Sequence, residues 1–397
     1  MSTINNYLGV LEMDELCIVG VGLHPFGRHD GKSIGEIAVA AVNGALDDAG
    51  MNWKDIQLAY GASLEGLLDT TVAQLGQTGI SFINVRNGCA SAGSALFAAA
   101  TAIEAGRCDI ALAVGADNHE RGAFRTDPRA WNIWSWYGEM GFLVAPQFFA
   151  MKTQRYFHEH GIPIETAMRV AERAFRNGSI TPHAWRREPL SLETIATSPM
   201  VCHPLRKYML TNPCAGGGAV ILARESVARR FTDQPVRLKA VSIKTRGEDT
   251  FEVSAPSIAL DVKPGPTVRA SQEAFETAGI GPEDIDVVQL QDTDSGTEII
   301  HYAECGFCEP GEQVELVESG ATEIGGRLPI NTDGGLLANG EPVGASGMRQ
   351  VYEVVQQLRG RAGKRQVPGN PRTGFTHVYG GPGVSAVTIL ERYSGGS

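Results

Sequence analysis

Two segments of this chain, Ala45–Ile56 and Ala274–Ile285, align without a gap, Ala49-Gly50 falling on Ala278-Gly279 and Asp55-Ile56 on Asp284-Ile285. Each reads as the end of an amphipathic helix closed by glycine, a short turn, and then an apolar strand, Gln57–Tyr60 in the first copy and Asp286–Leu290 in the second. A long repeat used only twice argues against a solenoid and for two similar α/β halves packed together. With 397 residues, 43% of them hydrophobic, the chain has the apolar content to bury such a core.

Other segments fit this frame. Cys17–Gly22 reads as a buried strand ending in glycines, and Asp109–Ala116 as a central parallel strand. The Gly20 and Gly22 pair resembles a fragment of a dinucleotide fingerprint. No third glycine opens a helix and no acidic residue follows at ribose distance, so NAD is not expected. Residues 118–210 differ in character, holding four of the five tryptophans and an aromatic cluster from Phe124 to Phe157. Such an insert suits a lid or binding subdomain for an apolar or aromatic group, and equally a satellite core or subunit contact.

The net charge of −11, with no basic run, excludes a nucleic-acid partner. Met1–Glu15 has neither a basic nor an apolar leader region, and no stretch approaches the ~20 apolar residues of a membrane span, so a cytoplasmic location away from membranes is expected. Seven cysteines, an odd number, are expected to stay reduced. The one C-x-x-C, Cys305 to Cys308, lacks a second Cys/His pair and reads as packing, with no metal expected.

Cys89 stands out among them. It follows a strand-like approach and the tight turn Asn87-Gly88, and it precedes a long Ala-rich segment, which puts a thiol at a helix N-terminus. Unpaired N–H groups and the positive end of the helix dipole there favour a thiolate and can hold a developing oxyanion. The alternative is a small buried hydrophobe.

Asn87-Gly88-Cys89-Ala90-Ser91 resembles the Cys-x-Ser nucleophile motif of thiolases, and Asn331 to Gly347 resembles their Gly-His-Pro-x-Gly-Ala-Ser-Gly segment. Asn212 to Val220 resembles the segment that closes the first half in the branch linked to sterol carrier proteins. The likeness runs from about Cys17 to Arg392. It implies an α/β thiolase fold: two duplicated βαβαβαββ halves forming a five-layered αβαβα core with an inserted loop subdomain. On that basis residues 1–117 and 211–235 form the first half, 118–210 the insert and 236–397 the second half.

The resemblance further implies a C–C bond made or broken beside a CoA thioester through an acyl-Cys89, with coenzyme A as co-substrate and no resident cofactor. The family's Gly-His-Pro histidine is here Glu341, which either takes the thiol proton or stays protonated. The histidine of the family's His-Asp-Cys-Phe motif becomes Gln291, a hydrogen-bond donor for an enolate oxygen, while Asp292 matches the family's structural aspartate. His377 takes the place of the second cysteine as a candidate acid/base. Among the following glycines, Gly381 and Gly383 are candidates to give an N–H to the oxyanion hole.

These substitutions resemble a subgroup that works with a small zinc-ribbon/OB-fold protein, such as 2-benzoylsuccinyl-CoA thiolase. Expected function is therefore thiolysis or synthesis of a bulky 3-oxoacyl-CoA, aromatic ones included. The alternatives are retro-aldol cleavage of a 3-hydroxyacyl-CoA and a non-catalytic acyl-CoA-binding subunit. A homodimer core with a possible partner subunit is implied in the same way.

Overall fold

The computed structural model describes residues 15–122, 124, 127–131, 134–141, 144–252, 255–256, 262–381 and 383–393. The duplicated motif is visible as structure. Helix α1 (Ile34–Ala49) starts in a reciprocal cap, Ser33 Oγ accepting from the Glu36 N–H while the Glu36 carboxylate accepts from the Ser33 N–H, and it stops at Gly50 in the left-handed region (φ 63°). Its counterpart α5 (Pro266–Ala278) opens on proline and stops at Gly279 with φ 68°. Each is followed by a single 3-10 turn and then a strand, β2 (Leu58–Ala62) or β7 (Val287–Gln289).

Nine strands form one sheet. In the first half β1 (Leu16–Gly27), β5 (Ala215–Arg224), β4 (Ile110–Asn118), β2 and β3 (Ser81–Val85) lie side by side in that order. In the second half the order is β6 (Val236–Thr245), β9 (Val384–Arg392), β8 (Thr373–Gly380) and β7. The two series match place for place. Where β3 edges the first, the second has a parallel bridge between Val288 and Ile330. The halves join where Leu16 and Ile18 of β1 pair antiparallel with Leu238 and Val236 of β6.

Helices α2 (Ser91–Glu104) and α8 (Ser346–Leu358) touch one another and strands of both halves, forming the middle layer. Helix α1 covers β1, β5 and β4 from outside, and α5 covers β6 and β9. This is the five-layered α/β arrangement of the thiolase fold. The middle layer is packed by Leu96, Ala99, Met348 and Val351 against Ile18, Ala113 and Val220, all 2% exposed or less. Truncating Leu96 to alanine there costs about 2–5 kcal/mol.

The aromatic stretch divides in two. Helices α3 (Ala145–His160) and α4 (Ile164–Ser179) pack on α6 (Ser295–Glu304), and Phe148, Phe149 and Phe157 join one core with Phe275 and Phe375 of the second half. A buried ion pair of Arg173 with Glu298 pins them, Glu298 also accepting from Tyr302 Oη (2.6 Å) and Asn331 Nδ2 (3.0 Å). Trp134 and Trp136, by contrast, remain exposed. Among the described residues no helix is long and apolar enough to cross a membrane.

Candidate active site

After β3 the chain turns at Gly88, with φ 56°, and enters α2. Ser91 locks this turn: its Oγ donates to the Gly88 carbonyl (2.6 Å) and accepts from the Asn87 N–H (2.7 Å). Cys89 sits at the apex, half-buried. The end of β8 presses on the same turn. A Cβ on Gly380 would lie 2.6 Å from the Asn87 oxygen, so only glycine lets the two segments approach this closely.

Glu341 reaches the thiol from the second half. It follows the short helix α7 (Gly335–Asn339), whose first turn is held by Asp292 accepting from the Leu336 N–H (2.7 Å) and the Leu337 N–H (3.1 Å). The Glu341 N–H donates to the Asn212 carbonyl (2.9 Å), which clamps its backbone to the segment entering β5. A second clamp lies at Gly115 of β4, where a Cβ would stand 1.9 Å from the Gly344 oxygen. The Cys89 thiol lies close enough to the Glu341 carboxylate to feel its charge, and Glu341 Oε2 has no hydrogen-bond partner among the described residues.

The electrostatics follow from that contact. Burial and then the neighbouring Glu341 carboxylate push Cys89 well above its ordinary pKa, while the N–H groups of Gly381 and Cys89 pull it down. Glu341 is fully buried, and burial raises its carboxyl; the nearby Cys89 thiol and the hydrogen bond from Gln291 oppose the rise. Burial thus pushes both groups toward their protonated forms, and the unpartnered Glu341 Oε2 is the acceptor available to the thiol proton. That proton can move to Glu341 as the sulfur attacks, so that two adjacent anions never form.

Of the residues expected from sequence, Cys89, Glu341, Gln291 and Gly381 are brought together. Gln291 Nε2 donates to Glu341 Oε1 (2.9 Å) and to Thr293 Oγ1 (3.1 Å), so its donors orient the carboxylate instead of facing a substrate oxygen. Asp292 supports α7 one layer away. Gly383, with φ 84°, closes a turn through its N–H to the Gly380 carbonyl (2.8 Å). His377 lies on the outer face of β8, with Nε2 2.8 Å from Ser385 Oγ and 3.2 Å from Thr267 Oγ1. Burial and the neighbouring His301 lower its pKa well below the usual imidazole value, keeping it neutral. Neither Cys89 nor Glu341 is among its hydrogen-bond partners within the described residues.

A buried polar group that sequence reasoning missed backs the site. Asp117, at the end of β4, accepts from Ser63 Oγ (2.5 Å) and from the N–H groups of Leu64 (3.0 Å) and Gly344 (2.7 Å). His119 places Nδ1 2.5 Å from Glu65 Oε1; burial disfavours its charge, but Asp117 and Glu65 outweigh that and raise its pKa. Polar residues directly after an apolar central strand were the available signal, since sites in α/β folds gather at strand C-termini.

An apolar cavity of about 190 Å³ opens beside Glu341, walled by Phe124, Pro146, Phe149 and Leu210. It exceeds the ~150 Å³ cavity known to accept a benzene ring. Elsewhere, His183, Asp333 and Glu353 bring ligand atoms within 4.8 Å of one another. Arg349 pairs with Asp333 and Arg365 Nη2 with Glu353 (2.9 Å), so guanidinium groups already supply the counter-charge a metal would bring.

Residues 254–392 match the family described as thiolase C-terminal domain-like. The chain is 33% identical over 390 residues to an acetyl-CoA acetyltransferase of Methanothermobacter thermautotrophicus, covering 96% of this chain and 100% of that one. It is 29% identical over 382 residues to the benzoylsuccinyl-CoA thiolase subunit BbsB of Thauera aromatica, covering 92% of this chain and 94% of that one. Among solved structures, the Ltp2-ChsH2(DUF35) aldolase superposes with a TM-score of 0.86 at 25% identity, over 96% of this chain and 98% of that one. A duplicated five-layered fold, a cysteine at the start of a middle-layer helix and these relatives together show that the chain belongs to the thiolase family, in its sterol-carrier-protein-linked branch.

Proposed function

We propose that this thiolase-type acyltransferase cleaves or forms the C–C bond of a bulky, aromatic 3-oxoacyl-CoA through an acyl-Cys89 intermediate, with coenzyme A as co-substrate. The observation that carries this reading is the Cys89 thiol facing the Glu341 carboxylate and the Gly381 N–H beside an aromatic-walled cavity. Cys89 attacks the 3-keto carbon as Glu341 takes its proton. The N–H groups of Gly381 and Cys89 receive the oxyanion, and the acyl group occupies the space between Phe124 and Phe149. The test is turnover with free CoA and an aryl 3-oxoacyl-CoA, with mass spectrometry of the trapped protein. The expected result is two thioester products and an acyl adduct on Cys89; full turnover by Cys89→Ala would defeat the reading.

The likeness to an aldolase favours retro-aldol cleavage of a 3-hydroxyacyl-CoA as the second reading. It needs no free CoA and leaves Cys89 unmodified, so the same product analysis separates the two.

We also propose a homodimer joined at the sheet edge. Strand β3 is the outermost strand of the first half, with Ile83 48% exposed. Antiparallel pairing with a second copy would satisfy its free N–H and C=O groups. A zinc-ribbon/OB-fold partner is proposed for the insert, where Trp134 and Met140 are exposed. Sedimentation of the protein alone, and with the candidate partner, tests both: a stable, active monomer would count against the dimer, and an unchanged profile against the partner.

A further inference from the structure

Breaking the C2–C3 bond of a 3-oxoacyl-CoA places negative charge on two oxygens in turn. As Cys89 adds to C3, the carbonyl pair moves to the C3 oxygen, which the Gly381 and Cys89 N–H groups receive. The return of that pair expels the C2–C3 pair, which spreads from C2 onto the thioester oxygen at C1 as an enolate. Glu341 then gives the Cys89 proton to C2, the C1–O double bond reforms and the carboxylate is ionised again. The C1 oxygen lies close to the carbon that Glu341 protonates, so a donor for it must come from the cavity wall next to Glu341.

The Gln291 amide is not free to be that donor. Its Nε2 spends both hydrogens, on Glu341 Oε1 (2.9 Å) and on Thr293 Oγ1 (3.1 Å). Thr293 walls the acyl cavity together with Glu341 and is only 7% exposed. It stands in the loop between β7 and α6, held there by the Thr211 N–H donating to its carbonyl (3.0 Å). Its hydroxyl oxygen accepts from Gln291, and among the described residues nothing accepts its hydrogen. A buried hydroxyl left with an unpaired hydrogen is costly, and donation from Gln291 polarises the O–H further. The other neutral or cationic polar groups on this wall do not match it. Thr211 Oγ1 donates to the Leu336 carbonyl (2.8 Å), Lys207 is exposed, and the half-buried Asn212 amide has no hydrogen bond among the described residues to hold it in place.

Resting on the thiolysis reading above, we propose that Thr293 is a further catalytic residue, its hydroxyl donating to the C1 thioester oxygen while that oxygen carries the enolate charge. One amide then serves both sides of the step. Gln291 places one hydrogen on the carboxylate that moves the proton and the other on the hydroxyl that holds the developing charge. Thr293 keeps its own proton throughout, so Glu341 remains the acid that finishes the leaving thioester.

The test compares a step that forms an enolate with one that does not, on the full chain with its partner if one is needed. Exchange of the C2 protons of acetyl-CoA in D2O passes through the enolate. Exchange of labelled CoA into acetyl-CoA through acyl-Cys89 does not, because it charges only the carbonyl oxygen at Cys89. Thr293→Val keeps the side-chain shape and removes the hydroxyl. It is expected to slow C2 exchange about 10²- to 10³-fold and to slow labelled-CoA exchange far less, and Thr293→Ser is expected to recover most of the C2 exchange. Thr293→Ala, with the same expected split, serves as the second variant if the valine folds poorly. Unsubstituted C2 exchange in either folded variant, or equal losses in the two reactions, would overturn the proposal and leave the acyl-Cys89 reading standing. An unsubstituted protein that forms no acyl-Cys89 and catalyses neither exchange would overturn the two together.

Discussion

Gln291 Nε2 stands 2.9 Å from Glu341 Oε1, so a neutral amide holds the carboxylate that faces the Cys89 thiol. Without that donor, burial acts on Glu341 with less opposition. Gln291→Leu is therefore expected to raise the Glu341 pKa further and to move the rising limb of the acylation rate to higher pH. A pH–rate profile of acyl-Cys89 formation checks this; an unmoved limb would show that the amide does not tune the base.

Glu341 accepts a proton only when ionised, and its pKa is raised above the ordinary carboxylate value. Acylation should therefore increase with pH through that raised pKa. Glu341→Gln should lose this limb and about 10²- to 10⁴-fold in rate, with an intact melting transition.

Phe149 is 4% exposed and walls the acyl cavity. Phe149→Leu keeps the wall apolar but removes aromatic surface. It should lower kcat/KM for an aryl 3-oxoacyl-CoA by about 10- to 200-fold and change that for acetoacetyl-CoA far less. Equal losses on both substrates would mean that Phe149 does not select the acyl group.

Asp294 caps α6, accepting from the Thr297 N–H (2.8 Å), and burial pushes its pKa from 3.8 up to about 6. The folded state thus holds the proton more tightly than the unfolded one. The stabilisation this gives is fully present below about pH 4 and is lost as pH rises through about 6. The span corresponds to about 3 kcal/mol. Asp294→Asn retains the cap, so its denaturant midpoint relative to the unsubstituted protein should climb between about pH 4 and about pH 7 by an amount of that order.

Asp117 accepts from Ser63, Leu64 and Gly344 in a fully buried position. Asp117→Ala strands those donors and should cost about 3–5 kcal/mol in urea unfolding. Because Gly344 follows Glu341 in the same loop, activity should fall more steeply with temperature than the global melt does.

The duplication was legible because a helix end, a glycine and a strand start carry strong local signals, and Gly50 and Gly279 occupy the left-handed caps such signals require. Cys89 and Glu341 were legible from their motifs. His377 shows where motif alignment and strand geometry part. The two-residue period of β8 sets His377 and Tyr379 on one face and Thr376 and Val378 on the other, where they meet the middle helices. The Asp117 cluster was not legible. It joins residues far apart in the chain, and no local pattern marks which distant donors a buried carboxylate will reach.

Cys89, the proposed nucleophile, belongs to one copy of the duplicated unit, and Glu341, its proposed base, and the Gly381 N–H belong to the other. The two copies share a middle layer and the short β1–β6 seam. Chemistry is therefore a property of the docked pair: neither copy carries a diluted version of it. Separately expressed halves should be inert apart and regain turnover on mixing, which makes catalysis itself a gauge of how completely the ancestral repeat has fused into one machine.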